Sequence, residues 1–270
     1  MRGIIISSLA FLAYSTSFTA AQNDSTSTGP IVNLGYAQYR GNTTYRGNYS
    51  TDVYYGIRYA QAPINDLRWR APMEIESHND YDPNEIMDAQ TPSPSCVQGT
   101  PAWRAYASDI PTPVAVTGQE DCLLLNVYVP ENPKATPMPV FLLVHGGGYT
   151  QGSANGAGNQ GQAFVDASGG SVIYVAIQYR LGAYGFLSST QVKENGVANA
   201  GLLDQRAAMN WVQRHIRAFG GDPAKVTISG GSAGGGSGEQ IFSLGQLRHA
   251  NDCCSDGSDD NVRWRIESAI

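Results

Sequence analysis

The sequence has little charge and no long run of basic or apolar residues. Only 15% of its 270 residues are charged, and 23 Asp and Glu residues outnumber 17 Lys and Arg residues, for a net charge of −6. Without a basic patch there is no cluster of positive charge to bind a phosphate backbone, so we expect no nucleic-acid partner. No apolar run approaches the roughly 20 residues that span a bilayer, so we expect no transmembrane segment. The hydrophobic content of 41% excludes disorder of the whole chain and is ample for one large or two small domains.

The N-terminus has the pattern of a secretory signal peptide. A basic start is followed by about ten apolar residues and then by small residues, which predicts a signal at 1–21 and a secreted, extracellular protein. Residues 22–30 are rich in Ser and Thr and are expected to form a flexible lead-in. Three Asn-x-Ser/Thr acceptors, at Asn23, Asn42 and Asn48, are candidate glycosylation sites.

Four cysteines in an exported chain favour disulfide pairing. Cys253 and Cys254 are neighbours, and Cα atoms about 3.8 Å apart are too close for the usual disulfide span of about 4.4–6.8 Å. The spacing therefore favours a bond between Cys96 and Cys122. The alternative, that these two are free buried thiols, stays open at this point.

The order of apolar runs and helical patterns predicts a doubly wound α/β sheet. Residues 31–40 and 53–59 indicate a small antiparallel N-terminal sheet, and ordered structure is expected to start at Ile31. The segment 201–219 has helical spacing and ends at Gly220. Nearly continuous apolar runs are typical of strands buried on both faces of a parallel sheet, and they occur at 123–129, 140–144, 172–177 and 226–228. Functional residues of such a sheet lie at the carboxyl ends of its strands.

The last of these strands leads into Gly230-Gly-Ser-Ala-Gly234, a Gly-x-Ser-x-Gly motif with the form of a nucleophile elbow. On such a turn the Ser backbone is strained and its Oγ projects above the sheet, so its neighbours must be small. Ser232 is therefore the candidate nucleophile. Two alternatives are a flexible Gly/Ser linker and a phosphate-binding loop that lacks the Lys of a P-loop.

A second strand, at 140–144, leads into His145-Gly-Gly-Gly-Tyr149. Backbone N–H groups in such a Gly run can approach a substrate and stabilise the oxyanion that forms when Ser232 attacks an ester carbonyl. We expect Gly147, Gly148 and Ala233 to supply the N–H donors. The alternative is a tight Gly turn, and His145 is expected to have a structural role in shaping the loop.

Several motifs together are similar to those of type-B carboxylesterases, the family that includes cholinesterases and fungal lipases, and the similarity is greatest to the fungal branch. They are Glu120-Asp-Cys-Leu-Leu-Leu-Asn-Val-Tyr-Val-Pro130, His145-Gly-Gly-Gly-Tyr149, Tyr179-Arg-Leu-Gly-Ala-Tyr-Gly-Phe-Leu187, Asn199-Ala-Gly-Leu-Leu-Asp-Gln-Arg206 and Phe219-Gly-Gly-Asp-Pro223. The resemblance runs from about residue 31 to about residue 237. It implies an α/β-hydrolase fold and hydrolysis of a small-molecule or lipid ester without a cofactor or a metal.

The resemblance also assigns individual residues. The family's first disulfide matches Cys96 and Cys122, and its oxyanion hole matches the three donors given above. Its buried ion pairs match Arg68 with Glu120 and Arg180 with Asp204. Cholinesterases carry Glu where this chain has Gly231, which makes a choline ester a poor substrate hypothesis.

A serine esterase needs a His base and a carboxylate, and in this family both follow far beyond the elbow. His249 is the only His after Ser232 and is expected to lie on the surface. We therefore expect a partial domain at 31–245, truncated after the elbow and inactive as it stands, with a divergent polar tail at 246–270. The strand at 226–229 would then have few or no later sheet partners. The competing hypothesis is a non-catalytic, cholinesterase-like binding or adhesion domain.

Overall fold

A computed structural model describes residues 25–46, 49–82, 84–99, 117–156, 158–249 and 264–269. The strands are β1 (Ser25–Asn33), β2 (Gln38–Arg46), β3 (Tyr49–Arg58), β4 (Ile86–Asp88), β5 (Leu124–Pro130), β6 (Met138–Val144), β7 (Ile173–Ile177), β8 (Gly221–Gly231) and β9 (Trp264–Ala269). The helices are α1 (Gly158–Ala167), α2 (Gly182–Phe186), α3 (Thr190–Asn195), α4 (Ala200–His215) and α5 (Ala233–His249), with short 3-10 turns at Asn65–Leu67 and Ile216–Phe219.

The strands form one mixed sheet in the order β1-β2-β3-β5-β7-β6-β8-β9, with β4 beside β2. From β1 to β7 in this order the neighbours pair antiparallel, whereas β4 pairs in parallel with β2 and β6 pairs in parallel with both β7 and β8. The N-terminal strands are continuous with the parallel part, because β3 pairs with β5. Almost every residue of β5 is buried. A continuous apolar run of this kind does not show whether the neighbouring strands are parallel or antiparallel.

The core lies on both faces of this sheet. The helix predicted at 201–219 is confirmed as α4 and the following 3-10 turn, which stop at Gly220 with φ 80°. From α4, Trp211 is fully buried on one face, and its Nε1 donates to Tyr36 Oη at 3.0 Å. On the other face Val165 of α1 packs with Tyr174 of β7. Truncation of Trp211 to Ala should cost about 3–5 kcal/mol.

Both ends of the sheet differ from the sequence expectation. β1 begins at Ser25, so residues 25–28 pair with β2 instead of forming a flexible lead-in, and pairing resumes at Ile31 after an irregularity. Their Ser and Thr composition did not indicate a strand. The backbone of this strand packs so closely on β2 that a Cβ at Gly29 would lie 2.7 Å from the carbonyl carbon of Asn42. At the other end β8 is not an edge strand, because β9 pairs with it in parallel from Val226–Trp264 to Gly231–Ala269. The six residues of β9 fall within the segment expected to be a polar tail.

The structure contains the expected disulfide. Cys96 and Cys122 are joined with an S–S distance of 2.05 Å and a Cα–Cα distance of 5.0 Å. Both residues are buried in the core. The bond therefore ties the irregular segment after β4 to the start of β5.

The expected signal at 1–21 and the acceptors Asn23 and Asn48 lie outside the described residues. Asn42 lies within β2, and its Nδ2, the atom that a glycan would occupy, donates to the carbonyl of Gln90 at 2.5 Å. A glycan at Asn42 would take the place of one of the two Nδ2 hydrogens, beside this hydrogen bond. Within the described part of the chain, no helix is both long and apolar enough to cross a bilayer.

Candidate active site

Ser232 stands alone between the last residue of β8 and the first residue of α5. Its φ is 56°, in the left-handed region that residues other than glycine seldom adopt. The conformation costs about 1–2 kcal/mol and must be held by the surrounding packing. The residue is exposed, so Oγ is accessible from solvent above the carboxyl end of the sheet.

The packing that holds this turn requires glycine on either side. A Cβ at Gly230 would lie 2.4 Å from the carbonyl carbon of Gly234, and a Cβ at Gly234 would lie 2.1 Å from the carbonyl oxygen of Val144. A Cβ at Gly231, in contrast, would meet nothing within 4 Å. The requirement for small neighbours therefore applies to Gly230 and Gly234 and not to the residue directly before Ser232.

The loop at 145–149 lies against the elbow because the parallel register places Val144 beside Gly230. A Cβ at Gly146 would lie 2.6 Å from the carbonyl oxygen of Gly231 and 3.4 Å from Cβ of Ser232. Gly147 has φ 119° and Gly148 has φ 63°, so both need the conformational freedom of glycine. The two motifs found in the sequence are thus brought together.

The backbone N–H groups of Gly147, Gly148 and Ala233 are candidates for binding an anion. Within the described residues, no acceptor is found for the N–H of Gly147 or Gly148, and a Cβ at Gly148 would face open space. Ala233 is the first residue of α5, where an N–H has no partner within the helix and the helix dipole favours negative charge. This arrangement can stabilise an oxyanion.

His145 is buried, and its ring makes its contacts with the loop and with Tyr179. Its ring stacks on Tyr179 at 4.4 Å, and its Nδ1 donates to the carbonyl of Gly146 at 2.9 Å. Tyr179 Oη donates to the carbonyl of His145 at 2.7 Å. Burial lowers the pKa of His145 to about 4, so the ring is neutral near pH 7.

The two expected ion pairs differ in burial. Arg180 and Asp204 are 3% and 0% exposed, and Nε and Nη2 of Arg180 donate to the carboxylate at 2.8 and 2.7 Å. Arg68 and Glu120 also form a bidentate pair, but their side chains are 37% and 21% exposed. The expectation of two buried pairs is therefore wrong for Arg68 and Glu120, whose side chains are only partly covered.

Each histidine of the described residues bonds to another group or lies far from Ser232. Among these residues no side chain is hydrogen-bonded to Oγ of Ser232. His215 is instead within 2.5 Å of Oε1 of Glu76, and the exposed His78 contacts Ser77. His249 ends α5, so the rise of an α-helix places its backbone about 24 Å from the elbow.

One feature of the site was not found from the sequence. Tyr149, directly after Gly148, is also left-handed, with φ 60°, and Ser237 Oγ donates to its hydroxyl at 3.4 Å. The only signal was its position at the end of the Gly run. Neither residue type points to such a contact.

The mixed sheet and the strand–Ser232–helix turn define an α/β-hydrolase. A model of the carboxylesterase family matches residues 28–244. Carboxylesterase patB from Penicillium expansum is 35% identical over 254 residues, which cover 77% of this chain and 44% of that protein. Secreted triacylglycerol lipase LIP1 from Gibberella zeae is 36% identical over 198 residues, which cover 68% of this chain and 32% of that protein. The crystal structure of Aspergillus niger EstA superposes with a TM-score of 0.62 at 38% identity, covering 77% of this chain and 37% of that one.

The chain belongs to the carboxylesterase family. It spans less than half the length of the relatives described above.

Proposed function

We propose that this chain carries the nucleophile and oxyanion hole of a serine carboxylic ester hydrolase. Ser232 is the nucleophile, and Gly147, Gly148 and Ala233 donate to the oxyanion. The observation that carries the proposal is the left-handed Ser232, exposed between β8 and α5 and packed against the Gly146 loop.

In the first step Oγ of Ser232 bonds to the ester carbonyl carbon, and the carbonyl oxygen becomes the oxyanion. The carbon–oxygen bond to the alcohol then breaks, and the alcohol leaves with the proton that Ser232 gave up. Water attacks the resulting acyl-enzyme, releases the carboxylic acid and restores the serine. Each fixed N–H donor is worth about 2.7–4 kcal/mol in the transition state, because it already points to where charge develops.

The proton of Ser232 needs a base, and the described residues offer none. We therefore propose that the 270-residue chain assayed alone has little turnover. The rate that an oxyanion hole and binding can supply without a working triad is roughly 10³–10⁴ above water.

The proposed substrate class is a small-molecule or lipid ester. The names of the two fungal relatives, a carboxylesterase and a secreted triacylglycerol lipase, support this class and do not separate lipase from esterase. The second name and the leader-like residues 1–21 also support the proposal that the protein is secreted.

The test exploits the exposure of Ser232, because added imidazole can reach Oγ and supply the missing base. The 270-residue chain is treated with a fluorophosphonate with and without imidazole, and modification is located by peptide mass spectrometry. We expect imidazole to speed modification of Ser232, and the Ser232→Ala chain to remain unmodified at that peptide. A Ser232 that stays unmodified under both conditions would contradict the proposal and favour a non-catalytic binding domain.

A further inference from the structure

Tyr149 is held in place by two contacts with α2. Its carbonyl accepts from the backbone N–H of Gly182 at 2.7 Å, and its ring packs against Phe186 with centroids 4.9 Å apart. Both partners belong to α2. Backbone and ring together fix where Tyr149, with its left-handed φ of 60°, directs its side chain.

The hydroxyl of Tyr149 reaches the start of α5. Ser237 is fully buried, and its Oγ donates to Oη of Tyr149 at 3.4 Å. A Cβ at Gly236 would lie 3.4 Å from the same Oη, an ordinary van der Waals distance, so the hydroxyl lies directly against this turn of the helix. Ser237 lies about one helical turn beyond Ala233.

We propose that Tyr149 and Ser237 are positioning residues. Their contact, the latch, holds the Gly147–Gly148 loop against α5. The inference rests on the proposed function, in which the oxyanion donors come from both elements. Gly148 directly precedes Tyr149, and Ala233 begins the helix that carries Ser237. The latch fixes the distance between donors on separate segments, and such constellations must be held to about 0.5 Å to be productive.

The positioning role of the Tyr149 hydroxyl can be tested apart from the stability of the domain. The ring packing on Phe186 survives when the hydroxyl is removed, so Tyr149→Phe removes the hydrogen bond to Ser237 and keeps the ring in place. At 3.4 Å that contact is longer than the usual 2.7–2.8 Å of an O–H···O bond, which makes its share of the folding free energy small. Its loss should loosen the loop without unfolding the domain.

The experiment compares Tyr149→Phe, Ser237→Ala and the double variant in the 270-residue chain. Tyr184→Phe is the matched control, because it removes a nearby tyrosine hydroxyl that bonds to no described residue. Amide hydrogen exchange of residues 145–152 reports on the loop directly. Imidazole-assisted fluorophosphonate modification of Ser232, measured against reagent concentration, separates the binding constant from the first-order rate constant.

We expect Tyr149→Phe to speed exchange at 145–152 about two- to threefold, the low end of the range for losing one neutral hydrogen bond. The first-order rate constant should fall by a similar factor with the binding constant unchanged. Because the two hydroxyls act on each other, the double variant should be no worse than the more affected single variant. Tyr184→Phe should match the unsubstituted chain.

Unchanged exchange in Tyr149→Phe overturns the latch, as does a double variant whose effects are the sum of the two single ones. Faster exchange with an unchanged first-order rate constant shows a contact that does not position the donors, and this also overturns the proposal. If Ser232 is not modified in any form, the proposed function fails and the positioning role fails with it. The exchange data then show whether the contact itself exists.

Discussion

Alanine at Gly234 should destabilise the protein, whereas alanine at Gly231 should not. The two glycines lie on opposite sides of Ser232. A Cβ at Gly234 would lie 2.1 Å from the carbonyl oxygen of Val144, and a Cβ at Gly231 would meet nothing within 4 Å. The pair therefore tests the packing of the elbow with one methyl group in each case.

The magnitude follows from the atom that Gly234→Ala would meet. The carbonyl oxygen of Val144 belongs to β6 and cannot rotate away, so the cost is at the upper end of overpacking, about 3 kcal/mol. Alanine returns about 1 kcal/mol through its higher helix propensity, since Gly234 lies in α5. The net loss of about 2 kcal/mol corresponds to a fall in Tm of about 4–8 °C. Gly231→Ala should stay within about 0.5 kcal/mol.

The measurement is thermal unfolding of both variants and the unsubstituted chain, followed by circular dichroism at one concentration. Equal Tm values for the two variants would refute the packing argument for the elbow. A larger loss in Gly231→Ala would show that β8 and α5 approach each other differently from the arrangement described.

Asp204→Ala should lower the free energy of unfolding by about 3–5 kcal/mol, because it leaves a buried charge unpaired. Arg68→Ala should cost far less in the same urea titration, and equal losses would contradict the difference in burial. The pKa of His145 is lowered to about 4 in the folded state, so stability present above pH 6.5 should be lost as the pH falls towards 4. His145→Gln should flatten that part of the stability profile, and an unchanged slope would count against the buried neutral ring. Replacing both Cys96 and Cys122 with Ser should cost about 3–4 kcal/mol, the loop entropy for a separation of 26, and calorimetry showing no loss would contradict it.

The parts of the fold that could be predicted are those in which a sequence pattern fits only one local structure. The Gly-x-Ser-x-Gly motif after an apolar run predicts the turn at Ser232, because that turn has room only for small residues at its glycine positions. The apolar residues of 201–219 recur with the spacing of a helix, and this periodicity predicts α4. A chain order in which both motifs follow strands also predicts that they meet at one edge of the sheet.

The features that were missed depend on backbone pairing, which composition does not encode. Residues 25–30 read as a linker because strand pairing uses N–H and C=O groups that every residue except proline supplies in full. β9 was not predicted as a definite strand, because a run of only six residues gives a weak strand signal and this run follows an acidic segment. The contact between Tyr149 and Ser237 depends on the bend of one loop and has no sequence pattern at all.

The disulfide between Cys96 and Cys122 has a consequence for proteolysis. It brackets residues 97–121, so a protease that cuts anywhere within that stretch leaves both products covalently joined. Such a cut chain keeps its full mass under non-reducing conditions and separates into two fragments only after reduction. Nicking in this segment therefore does not by itself release the first strands of the sheet from the part of the chain that carries Ser232.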